Sequence, residues 1–468
     1  MTPLPKFNDP RLSLWQSSVS AVLHRHLGAN DTASVAQVVS NEVMQAASRA
    51  AEPYVGLRPG DPVRPTSVAA AWYSRIVAFF QRLWRAIRGR PAAPTGQLEV
   101  CADLYLRLAL TKDPAAKQQI QQQIVEFGTC DPRWAEVTAE YEEHVKLLGQ
   151  PVPYIPPASP SDSVIDALPE RATIGLLADW GTGTPGAVQL LRLLAARRKP
   201  GVPFLLIHLG DVYYSGTAME FQRFVTDCRS VLGADVPVFT LAGNHDMYSG
   251  GQPYYDTIAS LNAHPYTQRT SYFNLRNAFW QFQAMDTGLN DRDPWQVDAD
   301  TTFLDPKEVQ WHRQQLAAAG TRKVVLLSHH QPFSAFALIG GAATNDRLLS
   351  VFDDPAPGSN GKHYLGQVVL WLWGHEHNLV FYGPYAGVAK GRCIGSGAIP
   401  VTVQADPYRV LTGSIPFDQA AISDNDGTVY SHGYAVMEID GPRGRVEYFQ
   451  YPDPKGRNPL CVDVFDAS

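Results

Sequence analysis

The sequence has little cysteine. Its 468 residues include five, which are Cys101, Cys130, Cys228, Cys393 and Cys461. Their number is odd, they lie far apart, and no two of them have the C-x-x-C spacing. Such a set is a poor disulfide framework and a poor zinc site. We therefore expect a protein of a reducing compartment.

Long apolar runs are also absent. No segment reaches the roughly 18 uninterrupted apolar residues that cross a membrane. The start of the chain, MTPLPKFNDPRLSLWQ, has no apolar core behind a basic stretch, so it lacks the pattern of a secretory signal. These absences predict a cytoplasmic protein with no signal peptide and no transmembrane segment.

There is no excess of basic residues. The chain has 39 Lys and Arg against 45 Asp and Glu, a net charge of −6, so it lacks the basic footprint of a nucleic-acid-binding module. Hydrophobic residues make up 45% of the chain and charged residues 18%, against a usual charged share of about 25%. This composition predicts a folded globular protein with a sizeable core.

The chain divides at a proline-rich segment. Residues 1–150 have helix-type spacing of apolar residues, which predicts an all-helical N-terminal domain. Neither a helix nor a central strand can continue through PVPYIPPASPSD, so we place a linker at 151–168. In 169–468 short apolar runs first alternate with helical segments, which predicts βαβ units. Later apolar runs follow mostly without intervening helices and predict a second, more antiparallel sheet. They lie at 278–286, 323–330, 367–377, 434–440 and 444–450.

One N-terminal segment is both basic and aromatic. In VAAAWYSRIVAFFQRLWRAIR (68–88) the large apolar residues fall on one side of a helix and the arginines fall away from it. The interpretation that we favour is packing of the apolar side within the protein. The alternative is a peripheral contact with an anionic membrane surface or with a protein partner.

Polar residues follow one apolar run after another in the region after the linker, 169–468. They are Asp179 in ADWG, Asp211 in GDVYY, Asn244 and His245 in GNHD, His329 in SHHQP, and His375 and His377 in GHEH. In open α/β sheets ligands bind at the carboxyl ends of the strands. Each motif alone is weak, because a GD or GNH sequence is usually a turn. Together, in one order and at βαβ spacing, they predict a single site.

Carboxylate, amide and imidazole groups are the donors that suit Mn, Fe or Zn ions. Two such ions hold a phosphoryl group and activate a water between them. The donor set therefore predicts hydrolysis of a phosphate ester. Trp180, Tyr248, His330 and Phe333 are candidates for shaping the pocket, although core packing is the alternative for each. Because successive strand residues face opposite sides, only one of His329 and His330 is expected to reach the metals.

The motif order D-x-G, G-D-x-x-Y, G-N-H-D, a strand ending in His, then G-H-x-H resembles the calcineurin-like metallophosphoesterases. It is most similar to their purple acid phosphatase branch. The resemblance covers residues 169–468 and does not include the helical N-terminal region. It implies an α/β fold, a four-layer α/β/β/α sandwich, preceded here by the all-helical domain. It also implies a dinuclear metal site.

The resemblance assigns a role to each motif residue. It implies that the first metal is held by Asp179, Asp211 and His377, with Asp211 bridging, and the second by Asn244, His329 and His375. His245 would contact the substrate phosphate or protonate the leaving group, and Asp246 would orient it. The nucleophile would be a metal-bound hydroxide, so the chain needs no serine nucleophile motif.

The first motif departs from the superfamily pattern, because Gly181 stands where many members have a metal-binding histidine. In the purple acid phosphatase branch a tyrosine three residues after the second aspartate replaces that ligand, and here it is Tyr214. A phenolate favours a ferric ion, so the resemblance implies Fe(III) paired with Fe, Mn or Zn(II). A Mn or Zn pair is the alternative, with Tyr213 and Tyr214 as ordinary pocket aromatics.

The function expected from these observations is a dinuclear, metal-dependent phosphoesterase. It would hydrolyse a small-molecule phosphomonoester, as acid phosphatases do. One alternative is a phosphodiesterase that acts on a nucleotide or a lipid headgroup. A less favoured alternative is an inactive phosphate-binding scaffold whose helical domain carries the function.

Overall fold

The computed structural model describes most of the chain from residue 156 onward. The described residues are 156–466 apart from 182–184, 214–215, 292–300, 354–362, 400, 402, 404–405 and 428. The predicted helical domain at 1–150, with its basic segment 68–88, lies outside the described residues. So does the first part of the predicted linker.

A six-stranded sheet begins with three parallel strands joined by two helices, and a third helix follows the last of these strands. The strands are β2 (Arg171–Leu177), β3 (Phe204–His208) and β4 (Val238–Thr240), and the helices are α1 (Pro185–Ala195), α2 (Ala218–Leu232) and α3 (Gln252–Leu261). All of β3 and β4 is buried, as expected for parallel strands covered on both faces. At the start of α2 the side chains of Thr217 and Glu220 form a capping box. The predicted βαβ units are confirmed.

The same sheet continues with three antiparallel strands from the end of the chain. These are β11 (His432–Asp440), β12 (Arg443–Tyr451) and β13 (Cys461–Phe465), and β11 pairs with β2. The expectation that the runs at 434–440 and 444–450 belong to the second sheet is therefore wrong. Pairing with β2 places their inward side chains, such as Met437 and Val446, in the core between the sheets.

A seven-stranded sheet is built from the middle of the chain. Its strands are β1 (Val164–Ile165), β5 (Phe273–Arg276), β6 (Trp280–Ala284), β7 (Lys323–Leu327), β8 (Val368–Trp373), β9 (Leu379–Tyr382) and β10 (Gly391–Ile394), in the order β1-β5-β6-β7-β8-β10-β9. The centre of this sheet, from β6 to β8 and β10, is parallel. The expected antiparallel character is therefore wrong, because helix α4 (Pro306–Ala317) returns the chain to the same edge before β7. Strand β1 lies within the predicted linker.

The two sheets pack face to face, and helices cover their outer faces. Side chains from both sheets, such as Ile207 and Leu327, share one buried core. Helices α1, α2 and α3 pack on the outer face of the six-stranded sheet, and α4 and the short helix α5 (Asp346–Leu349) pack on the seven-stranded sheet. The predicted four-layer α/β/β/α sandwich is confirmed for this part of the chain. None of its described helices is long and apolar enough to cross a membrane.

Candidate metal centre

The predicted motif residues follow strands of both sheets. Asp179, Asp211 and Asn244 come after β2, β3 and β4, and His329, His375 and His377 come after β7 and β8. The strand ends are aligned within the six-stranded sheet, because Leu177 pairs with His208 and His208 pairs with Thr240. Both sheets therefore deliver side chains to one place.

The backbone at this place is strained. Among the described residues other than glycine, seven have positive φ, and five of them belong to the site: Asp179, Asp211, Tyr213, His375 and His377, with φ of 52, 63, 66, 67 and 52°. Left-handed backbone is uncommon outside glycine and costs on the order of 1–3 kcal/mol per residue. Such strain persists where the surrounding structure fixes it, and it is concentrated here in the loops that follow β2, β3 and β8.

Asp179 is the centre of the set assigned to the first metal. Its Oδ1 lies 3.2 Å from His377 Nε2 and accepts a hydrogen bond from the Tyr213 hydroxyl at 3.0 Å. The same hydroxyl contacts His377 Nε2. The other oxygen, Oδ2, accepts the backbone N–H of His375 at 3.0 Å. The predicted ligand Tyr214 lies outside the described residues, whereas its neighbour Tyr213 is in contact with two of the predicted ligands.

The set assigned to the second metal meets at Asp211. Asp211 Oδ2 lies 3.2 Å from His329 Nε2. His329 Nδ1 is 2.9 Å from the carbonyl oxygen of Leu209, and donation to that carbonyl leaves Nε2 free to bind a metal. The His375 ring lies 5.2 Å from the His329 ring, centre to centre. The ligand atoms of Asp179, Asp211 and His329 all lie within 4.8 Å of one another.

Three of these ligand atoms fit a cation. Asn244 Oδ1 is buried and makes no hydrogen bond within the described part of the chain. Asp211 Oδ2 and His329 Nε2 are buried as well, and they face each other at 3.2 Å without forming a well-aligned hydrogen bond. A buried polar atom without a partner costs about 1–3 kcal/mol, and such atoms are rare. All three are lone-pair donors and come from both sheets. The residues present therefore suit the metal ions that the motifs predict.

The charges of the site are strongly coupled. Burial opposes the ionisation of Asp211, but the charges of His329 and His245 hold its pKa below the usual range. Burial likewise opposes the charging of His329, but the Asp211 carboxylate raises its pKa to about 9. Burial and the charge of His330 lower the pKa of His375 well below its usual value. The neutral imidazole of His375 is the form that binds a metal.

His245 and Asp246 lie beside these ligands. The backbone N–H of His245 donates to Asp211 Oδ1 at 3.0 Å. Its ring packs against Tyr213 and Tyr248, with ring centres 4.4 and 4.7 Å apart. The Asp246 carboxylate accepts the backbone N–H groups of Asp211, Val212 and Gly243, each at 2.9 Å. Asp246 thus joins the loop after β3 to the loop after β4, a role that its position in the motif did not reveal.

His330 lies beside the second-metal set, because ring nitrogens of His329, His330 and His375 lie within 4.8 Å of one another. Its Nδ1 lies 2.9 Å from Thr287 Oγ1 and its Nε2 lies 2.9 Å from Asp291 Oδ2. Its ring packs on His375 with centres 4.3 Å apart. Sequence reasoning did not single out Thr287 and Asp291. The one available signal was their place just after β6, another strand that runs toward the site.

Residues 172–379 match a family model described as calcineurin-like phosphoesterase, and this range contains all of the predicted metal ligands. Among curated proteins, none matches the chain. A purple acid phosphatase from yellow lupin (Lupinus luteus) seeds, PPD1, is 12% identical over 64% of this chain and 54% of that one, with a TM-score of 0.42. The chain therefore spans about half of that structure. GAP50, the anchor in the inner membrane complex of Plasmodium, is 14% identical over 64% of this chain and 89% of that one, with a TM-score of 0.43.

Proposed function

We propose, on the premise that this chain contains a calcineurin-like phosphoesterase domain, that it binds two metal ions and hydrolyses a small-molecule phosphomonoester. The observation that carries the proposal is a buried set of three ligand atoms among the described residues. Asn244 Oδ1 has no hydrogen-bond partner there, and Asp211 Oδ2 and His329 Nε2 face each other at 3.2 Å. They come from loops of both sheets. A structural role alone does not account for an unpartnered amide oxygen together with this buried carboxylate and imidazole.

The proposed ligands of the first ion are Asp179, Asp211 and His377, and those of the second are Asp211, Asn244, His329 and His375. Two bound cations supply Lewis-acid polarisation of the phosphoryl group and lower the pKa of a water. The chain's own residues set the geometry. The backbone N–H of His375 fixes the Asp179 carboxylate, and Asp246 fixes the loop that carries Asp211.

His245 is the proposed contact to the substrate phosphate and the proton donor to the leaving group. Its backbone is tied to Asp211, and its ring is held between two tyrosine rings. This arrangement holds the His245 imidazole beside the proposed metal ligands, and His245 is not itself a proposed ligand. Histidine is the side chain best suited to proton transfer near neutral pH.

The proposed ion pair is Fe(III) with Fe, Mn or Zn(II), with Tyr214 as the phenolate ligand. A Mn or Zn pair remains the alternative. The proposed partner is a small phosphate ester. Among the other functions, an inactive scaffold is disfavoured because metal-binding side chains occupy the predicted ligand positions. A membrane or protein contact of residues 68–88 stays a prediction from the sequence.

The test is hydrolysis of an aryl phosphomonoester and an aryl phosphodiester by purified protein whose metal content has been measured. Asp211→Asn is the blank. Asp235→Asn, at an exposed aspartate before β4, is the matched control. We expect the monoester to be the better substrate, with turnover lost in the first variant and kept in the second. Protein that holds two ions but cleaves neither ester would contradict the proposal, as would turnover in Asp211→Asn.

A further inference from the structure

A tyrosine holds the amide of Asn244. Asn244 follows β4 and directly precedes the 3-10 turn His245–Met247, and Tyr248 closes that turn. One turn of chain therefore brings the two side chains together. Asn244 Nδ2 donates a hydrogen bond to the Tyr248 hydroxyl oxygen at 2.6 Å. Both side chains are almost wholly buried.

The hydrogen bond holds the amide with its nitrogen on Tyr248 and its oxygen on the other side. The oxygen and nitrogen of an asparagine amide have nearly the same shape, but only the oxygen has a lone pair for a cation. Because the nitrogen is bonded to Tyr248, the oxygen takes the other position. Asn244 Oδ1 is buried there and has no hydrogen-bond partner among the described residues.

The Asn244 side-chain oxygen is not used by the turn that follows it. Asn244 has right-handed helical backbone angles, φ −66° and ψ −38°, and its side chain makes no capping hydrogen bond. An asparagine that caps a helix typically has an extended backbone instead. The backbone conformation therefore leaves the oxygen available to a ligand.

We propose that Tyr248 is a positioning residue of the metal centre. Its hydroxyl holds the Asn244 amide with the oxygen directed toward the second metal ion, while its ring packs against His245. The inference rests on the proposed function, because it gives Tyr248 a role only if a second ion binds. The inference adds to the proposed ligand set the residue that keeps the neutral ligand Asn244 in its binding orientation.

The first experiment compares two Tyr→Phe variants by metal titration, with each ion's affinity measured against a competing chelator. Tyr248→Phe removes the hydroxyl but keeps the ring that contacts His245. Tyr254→Phe is the matched control, because Tyr254 is also buried and its hydroxyl donates to the Thr240 carbonyl oxygen at 3.0 Å. We expect Tyr248→Phe to lower the affinity for the second ion about 10-fold or more and to leave the affinity for the first ion unchanged. We expect Tyr254→Phe to change neither affinity.

The second experiment repeats the substitution in an Asn244→Asp background. A carboxylate has two equivalent oxygens, so it needs no partner to select the correct end. We expect Tyr248→Phe to cost much less affinity for the second ion in this background than in the wild-type chain. The difference between the two backgrounds separates two roles of the Tyr248 hydroxyl. If the hydroxyl only supported core packing, its removal would lower the affinity equally in both backgrounds.

Three results would overturn the inference. One is wild-type affinity for both ions in Tyr248→Phe, and another is an equal loss in the wild-type and Asn244→Asp backgrounds. A loss of the same size in Tyr254→Phe would assign the effect to core packing. If the wild-type protein itself takes up no second ion, the proposed function fails and the inference fails with it.

Discussion

Gly243 is the position where one added methyl group tests the site most directly. It lies in the loop between β4 and Asn244. A Cβ at this residue would stand 2.0 Å from Asp211 Oδ1 and 2.7 Å from the Asp211 backbone nitrogen. Ordinary contacts of carbon atoms are about 3.5–4.0 Å. The Gly243→Ala variant must therefore move the Asp211 loop or its own loop by roughly 1.5 Å.

Neither loop can move without breaking other contacts. Asp211 Oδ1 accepts the backbone N–H of His245, and the backbone nitrogens of Asp211 and Gly243 both donate to Asp246 Oδ2. Overpacking of this kind costs about 1–3 kcal/mol. A functional side chain tolerates a displacement of only about 0.5 Å, and an error of about 1 Å can lower a rate 100-fold. We therefore expect a modest loss of stability and a loss of turnover of about 100-fold or more.

Urea unfolding of metal-free protein measures the first effect, and metal content with ester hydrolysis measures the second. Gly366→Ala is the control, because a Cβ there has no atom within 4 Å. We expect that variant to behave as the wild type in every assay. Gly243→Ala protein that binds two ions with wild-type affinity and turns over at the wild-type rate would refute the assigned position of Asp211.

Three other predictions concern protonation, the tyrosines and a helix cap. In metal-free protein the His329 pKa is raised to about 9 from about 6.5 in an unfolded chain. The stabilisation from this histidine is thus full below about pH 6.5 and lost as pH rises toward 9. We therefore expect the melting temperature to fall over that interval, and to fall less steeply in His329→Gln. Equal slopes in the two proteins would contradict the pairing of His329 with Asp211. In iron-loaded protein we expect Tyr214→Phe to abolish a visible tyrosinate absorption band. Loss of the band in Tyr213→Phe instead would identify Tyr213, which contacts Asp179 and His377, as the phenolate ligand. Thr217→Ala removes the N-terminal cap of α2. We expect it to lower the free energy of unfolding in urea by about 1 kcal/mol and to leave the metal content unchanged. A change in metal content would show that α2 supports the site.

The sequence indicated the place of the site because strand ends are a local signal. Asp179, Asp211 and His329 each follow a short apolar run, and the parallel arrangement brings such ends together. The pairing of β11 with β2 could not be predicted in the same way. The apolar pattern of β11 fits the edge of either sheet. Which sheet β11 joins depends on which edge strand is still unpaired after the rest of the chain has packed.

Contacts between loops were also beyond the sequence. The GNHD motif placed Asp246 next to His245, and this adjacency suggested that one orients the other. What the adjacency could not show is that the carboxylate accepts backbone N–H groups from two loops, which meet only after β3 and β4 are paired. In the same way, nothing in the local pattern joins His330 to Asp291, because 39 residues separate them.

The division of the ligands between two sheets has a consequence for folding. If one metal ion binds Asp211 and Asn244 on one side and His329 and His375 on the other, as proposed, it is a cross-link between layers that otherwise share an apolar core. An intermediate with only one sheet formed offers half of the ligands, so tight uptake of the ion must follow the docking of the sheets. The ion would then stabilise the native state alone, by about 2.7 kcal/mol at a concentration 100 times its dissociation constant. Metal supply would thus set part of the free energy that keeps the two layers docked.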